Sequence, residues 1–207
     1  MSYTVVLRMT SELAAPPAAP DDDRALGLAA AAGDVDAFAA LYHRHAARVF
    51  TRLTRLIGPG PDREDVLQQV FLELHRALPG FRGDARLSTF LYRITVNVAC
   101  DHLRRRLRRP IATDAIAVDD LIDHGLTPEA QVRARAELHQ VFGLLERIKP
   151  DKRVAFVLVA VEGLSLDEAA ELVGATPDAV KQRVLHARRE LVAMIERAER
   201  RLSGRNA

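Results

Sequence analysis

Two helix-start signals with a glycine stop between them confine residues 163–184 to one local arrangement. Ser165 can cap a first helix, and Glu168 three residues on completes a capping box. Leu166, Ala169, Ala170 and Val173 recur at helical spacing. Gly174 can supply the positive φ that ends this helix. Thr176 is a good N-cap, and Pro177 stands at the first position of a second helix, where its missing N–H costs nothing. That second helix carries Lys181, Gln182, Arg183, His186, Arg188 and Arg189. A capped helix, a glycine turn and a basic, Gln-bearing helix predict a helix-turn-helix that enters a DNA major groove. Val180, Val184, Ala187 and Leu191 share a face and should meet the core. Lys181, Gln182, Leu185 and His186 are then the candidates for base edges, and Arg183, Arg188 and Arg189 for backbone. Gln suits adenine, Lys suits guanine, and Leu can meet a thymine methyl.

No strand-like alternation occurs elsewhere, so the expected fold is all-α: two small helical domains joined by a flexible acidic linker, the second domain ending in the helix-turn-helix. A short helix is expected over 24–32. Asp34 should cap a longer one with Phe38, Leu41, Tyr42, Ala46, Val49, Phe50, Leu53 and Leu56 on its apolar face. Gly58-Pro59-Gly60-Pro61 breaks the chain. A helix from Asp62 presents Val66, Leu67, Val70, Phe71, Leu74 and Leu78, and Pro79-Gly80 ends it. Ser88 should cap the next, which passes Leu91, Ile94, Val98 and Leu103 into an arginine cluster, Arg104, Arg105, Arg106, Arg108 and Arg109, before Pro110 stops it. Further helices are expected from Thr127-Pro128 to about Ile148, from Pro150 to Glu162, and from Pro177 to about Arg201. The expected organisation is a disordered leader over 1–23, a first domain over 24–109, a linker over 110–127, a second domain over 128–203 and a tail over 204–207.

Composition narrows the function. The 207 residues are 48% hydrophobic and 28% charged, which supports a real core. The net charge of +2 does not announce nucleic acid, but its distribution does. The arginine cluster is followed by a stretch, 111–130, that holds Asp114, Asp119, Asp120, Asp123 and Glu129 without a Lys or Arg. Cys100 stands alone, so no intrachain disulfide can form, which fits the cytoplasm. No apolar run reaches membrane-spanning length, so no membrane insertion is expected, and Val5-Val6-Leu7 is too short for a signal peptide.

The chain resembles the extracytoplasmic-function group of the sigma-70 family, the bacterial initiation factors that guide RNA polymerase to promoters. The resemblance covers about residues 22–203. Gly33-Asp34-Val35-Asp36-Ala37-Phe38-Ala39-Ala40-Leu41-Tyr42 looks like the opening region. Glu64-Asp65-Val66-Leu67-Gln68-Gln69-Val70-Phe71-Leu72 is similar to the core-polymerase-binding motif. Phe81-Arg82-Gly83, then Leu87-Ser88-Thr89-Phe90-Leu91-Tyr92-Arg93-Ile94 and Asn97, resemble the part that melts and reads the −10 element. Pro150 to Phe156 and Gly163 to Leu191 resemble the −35-binding region. Any one piece is weak; the four in this order are specific. Four positions depart from the usual pattern: Gln69 stands for Glu, Phe90 for Trp, and Asp178-Ala179 for Gly-Thr.

The resemblance implies that Asp65, Gln68, Gln69 and Phe71 dock on a coiled coil of the polymerase's largest subunit, with its flap as a further contact. It implies that Phe81, Arg82, Tyr92, Arg93, Asn97, Arg104 and Arg105 serve the −10 region. Stacking on an aromatic is worth roughly 1–3 kcal/mol per base, and an Asn offers both a donor and an acceptor to a base edge. Arg86 would hold phosphate with Arg82 and Arg93. The arginines from Arg104 onward would clamp duplex DNA with steep salt dependence. An anti-sigma factor is the implied regulator and could hold the protein at the membrane.

No cofactor, metal or catalytic apparatus is expected. His43 and His45 are an i, i+2 pair on different sides of a helix, and there is no Walker loop, nucleophile elbow or carboxylate dyad. The other rival, a plain helix-turn-helix regulator, leaves the motifs of the first domain unexplained.

Overall fold

The computed structural model describes residues 23–107 and 127–203, and these fall in two units. Among the described residues every regular element is helical. The expected leader, linker and tail lie outside them apart from Asp23 and Thr127, as do Arg108 and Arg109.

The first unit contains α1 (Asp23–Ala31), α2 (Val35–Ile57), α3 (Arg63–Ala77), a 3-10 turn (Leu78–Gly80) and α4 (Leu87–Arg106). The N-cap of α2 is Asp34, whose carboxylate accepts the amide of Ala37 at 3.0 Å. Its end is Gly58, whose N–H reaches the Thr54 carbonyl. The α2 stripe meets α1, α3 and α4. Leu41, Leu53 and Leu56 are fully buried there, against Val70 and Leu74 of α3 and Val96 of α4 in the same core. Each such side chain contributes about 1.5–3 kcal/mol relative to exposure.

Three polar groups join this core. Arg63 is buried, donates from Nε to the Gly60 carbonyl and from Nη1 to Thr54 Oγ1, and lies over the Phe50 ring. It thereby pins the 58–61 break to α2. Asp23 begins α1 rather than ending a leader, and it is buried. Arg44 donates to its Oδ1 at 2.9 Å, and His45 Nε2 lies 3.0 Å from its Oδ2. His45 falls in the α2 stripe, buried four residues from Leu41 and from Val49. Burial pushes its pKa below the ordinary imidazole value; the Asp23 charge opposes this, and Arg48 and Arg44 add to it.

The cap of α4 differs from expectation. The helix begins at Leu87 with Arg86 at the N-cap, and Ser88 sits in the first turn. Leu87 is buried and sits close to Gly27 of α1. Packing of that leucine fixes the start two residues earlier than the Ser signal suggests. Gly27 allows α1 to approach: a Cβ there would lie 2.9 Å from Phe81 Cε1 and 3.3 Å from Leu87.

The second unit contains α5 (Pro128–Leu145), α6 (Pro150–Phe156) running into a π turn (Val157–Val161), α7 (Leu166–Val173) and α8 (Pro177–Ser203). Thr127 caps α5 through the amide of Ala130. Helix α8 is the spine, packed by α5, α6 and α7, and Lys152 of α6 pairs with Glu190 of α8.

Two predictions test this core. Gly27→Val should destabilise the chain by about 1–3 kcal/mol through overpacking against Phe81, read by denaturant unfolding; unchanged stability would mean α1 does not seat as described. Folded His45 takes up a proton less readily than the unfolded chain, which does so near the ordinary value of about 6.5. Stability should therefore be fully present above about pH 6.5 and decline as pH falls below it. His45→Gln should flatten that decline in thermal unfolding curves, and an equal slope in both proteins would contradict the assignment.

Candidate nucleic-acid interface

The helix-turn-helix forms as the sequence predicts. The Ser165 Oγ accepts the Glu168 amide at 3.2 Å, and Glu168 Oε2 accepts both the Ser165 amide, at 2.8 Å, and its hydroxyl. Those bonds, the side-chain one first, hold the Glu168 carboxyl below the usual carboxylate range. Gly174 is left-handed, with φ 62° and ψ 44°, and its N–H returns to the Ala170 carbonyl. Thr176 Oγ1 accepts the Ala179 amide at 3.2 Å. Ala169 and Ala170 are buried, small enough to bring α7 close to α8. Val180, Val184, Ala187 and Leu191 are all buried. With that stripe inward, Lys181, Gln182, His186, Arg188 and Arg189 are exposed, and Arg183 and Leu185 are half-buried at the edge.

On α3, Asp65 and Gln68 are exposed. Gln69 is half-buried and donates to Glu73 Oε1 at 2.7 Å, an oxygen that also accepts from Arg76. Phe71 is 4% exposed and packs on Tyr42 with ring centroids 4.6 Å apart. It is core, and its contribution to any docking surface is to hold Tyr42 and α3 in place. Leu72 closes the same α3 motif but is not among the contact residues that the resemblance implies. It is 53% exposed, an apolar group set beside Gln68 and Gln69 by helical spacing. Its signal was present: Leu72 lies off the stripe of Val66, Val70 and Leu74.

Around α4, Arg82, Arg86, Arg93 and Asn97 are exposed, and Arg93 and Asn97 share a face at i, i+4. Phe81 is buried against Gly27 and lies 5.6 Å from the Phe90 ring. It too is core, because α1 closes over it. Tyr92 is half-buried, with the guanidinium carbon of Arg52 3.5 Å from its ring centre. Arg104 and Arg105 are exposed in the last turn of α4. Arg104 bonds to the Asp101 carboxylate and Arg105 Nε to its carbonyl. Favourable interaction with the helix C-terminus supports cations there. Among the described residues no group of His, Cys, Asp and Glu could hold a metal ion, and no helix is long and apolar enough to cross a membrane.

Two helical units, one carrying a capped helix-turn-helix with a basic outer face, define a DNA-binding transcription protein. Residues 41–109 match the family described as Sigma-70 region 2, and residues 138–191 match Sigma-70, region 4. The chain is 35% identical over 163 residues to the ECF RNA polymerase sigma-E factor of Escherichia coli K12, covering 75% of this chain and 85% of that protein. It is 34% identical over 166 residues to the RNA polymerase sigma-H factor of Pseudomonas aeruginosa, covering 75% and 84%. Among solved structures it is similar to CnrH bound to the cytosolic domain of CnrY, with TM-score 0.58, 30% identity and coverage of 85% and 98%. Its fold also matches the sigma factor RpoE of Bartonella quintana bound to the anti-sigma factor NepR, with TM-score 0.57, 19% identity and coverage of 78% and 98%. The chain belongs to the extracytoplasmic-function group of the sigma-70 family. It is an alternative sigma factor, directing RNA polymerase to promoters for initiation.

The turn generates a prediction. Gly174→Ala places a Cβ in the left-handed region, which costs about 1–2 kcal/mol, so thermal unfolding should come earlier. A stability equal to wild type would show that the turn has another conformation.

Proposed function

We propose that the two units divide promoter recognition between them. The first, residues 24–109, binds core polymerase through α3 and the melted −10 strand through α4; the second, residues 128–203, reads the −35 duplex through α8. The observation that carries this reading is the sorting of α8: its apolar stripe is buried while Lys181, Gln182 and His186 stand outward. Lys181, Gln182, Leu185 and His186 meet base edges, and Arg183 and Arg188 hold phosphates. On α3 the contact surface is Asp65, Gln68 and Leu72, with Gln69 at its edge and Phe71 beneath. On α4, Tyr92 and Asn97 meet unpaired bases, Arg82 and Arg93 hold their phosphates, and Phe81 supports the loop from inside. Arg104 and Arg105 grip the adjoining duplex without reading sequence.

The protein works in the cytoplasm and catalyses no reaction of its own; polymerase supplies the chemistry. An inhibitory protein covers the first unit while its promoters are silent. The solved structure of CnrH, 30% identical, in complex with the cytosolic domain of CnrY supports a protein partner. Affinity purification of the chain from silent cells should recover a partner that competes with core polymerase; finding none would sink the regulatory part.

The decisive test mixes the purified chain with sigma-free core polymerase and transcribes fragments of its own genome. A stable complex should start RNA at discrete sites. Asp65→Ala, Gln68→Ala and Leu72→Asp should each weaken core binding roughly tenfold, a loss of about 1.4 kcal/mol. Arg104→Ala and Arg105→Ala should instead lower promoter affinity and reduce the salt slope by about one each. Sequence-specific duplex binding without any polymerase complex would contradict the proposal.

A further inference from the structure

Arg52 and Tyr92 come from different helices, α2 and α4. The guanidinium carbon lies 3.5 Å from the ring centre, in contact with one face of the tyrosine, and both side chains are half-buried. This contact has three physical consequences. One face of the ring is occupied, so a base stacks on Tyr92 from the other side only. Turning the ring would sacrifice the cation contact, so the ring is oriented before DNA arrives and less freedom is lost on binding. A fixed positive charge also stands behind the ring, where it draws π-electron density toward itself and attracts the phosphates of a bound strand.

We propose that Arg52 is a positioning residue for promoter melting: it holds Tyr92 so that the ring takes a single unpaired base on the side away from the guanidinium. This rests on the reading of α4 as the −10 surface. A contact that merely staples α2 to α4 would affect folding but not strand binding, and the two roles separate experimentally.

Holoenzyme is assembled from core polymerase and the full-length chain as wild type, Arg52→Ala, Arg52→Gln, Arg52→Lys, Tyr92→Ala and the double variant Arg52→Ala/Tyr92→Ala. The readouts are the lifetime of the open complex against a heparin challenge, on a promoter mapped by transcription of genomic fragments, together with core affinity and thermal stability. Arg52→Ala and Arg52→Gln should shorten the lifetime about three- to tenfold with core affinity unchanged. Arg52→Lys should recover part of it, since it keeps the charge but loses the planar group. In the Tyr92→Ala background, Arg52→Ala should have no further effect. If Arg52→Ala does not fold, Arg52→Gln carries the same cycle. Wild-type lifetimes in the Ala and Gln variants, or an equal loss with and without Tyr92, would overturn the proposal. So would a loss that simply follows thermal stability. A wild-type holoenzyme that opens no promoter would instead overturn the −10 reading itself, and this inference with it.

Discussion

A helix with one apolar stripe must bury that stripe, and in the first unit every other helix does so against α2. Leu41, His45, Val49 and Leu53 repeat at four-residue spacing along it and are all buried. Because α1, α3 and α4 all meet this helix, their outward faces are set by how their inward faces fit it. Asp65 and Gln68 are exposed on α3 because Val66, Val70 and Leu74 are committed to the core. Asn97 is exposed on α4 because Val96, Val98 and Ala99 are. The polar surfaces of the unit are what remains after the core has been satisfied. The same logic holds in the second unit, where the stripe of α8 leaves Lys181, Gln182 and His186 outside.

Local signals were the legible ones. The capping box at Ser165 and Glu168, the left-handed Gly174 and the Thr176 cap need only neighbouring residues, and the structure has all three. The buried face of α8 follows from period alone. What the sequence did not disclose depends on residues distant along the chain. Phe81 looks like a surface aromatic in its motif, yet α1, through Gly27, closes over it. Nothing local marks Arg63, whose guanidinium finds Thr54 and the Phe50 ring across the break. The start of α4 shifted from Ser88 to Arg86 because burial of Leu87 outweighs a cap preference worth about 1 kcal/mol. Leu72 is exposed and apolar at a position where the period asks for a polar group, a signal legible in the sequence.

This distribution bears on how a sigma factor can be built from two small units. Of the aromatics of the first unit, Phe71 and Phe81 are buried, Phe38, Phe50, Phe90 and Tyr92 are half-buried, and Tyr42 is exposed. The second unit presents a different surface. Its recognition helix is long, its outer face is largely basic, and its orientation is fixed by caps and small residues at the α7–α8 contact.

The most direct test of this division of labour is site-specific photocrosslinking in an initiating complex, with benzoylphenylalanine placed in turn at Leu72, Asn97 and Gln182. The account predicts that the Leu72 probe attaches to the largest polymerase subunit, the Asn97 probe to the unpaired promoter strand, and the Gln182 probe to duplex DNA farther upstream. Attachment of the Leu72 probe to DNA, or of the Gln182 probe to the melted strand, would contradict it.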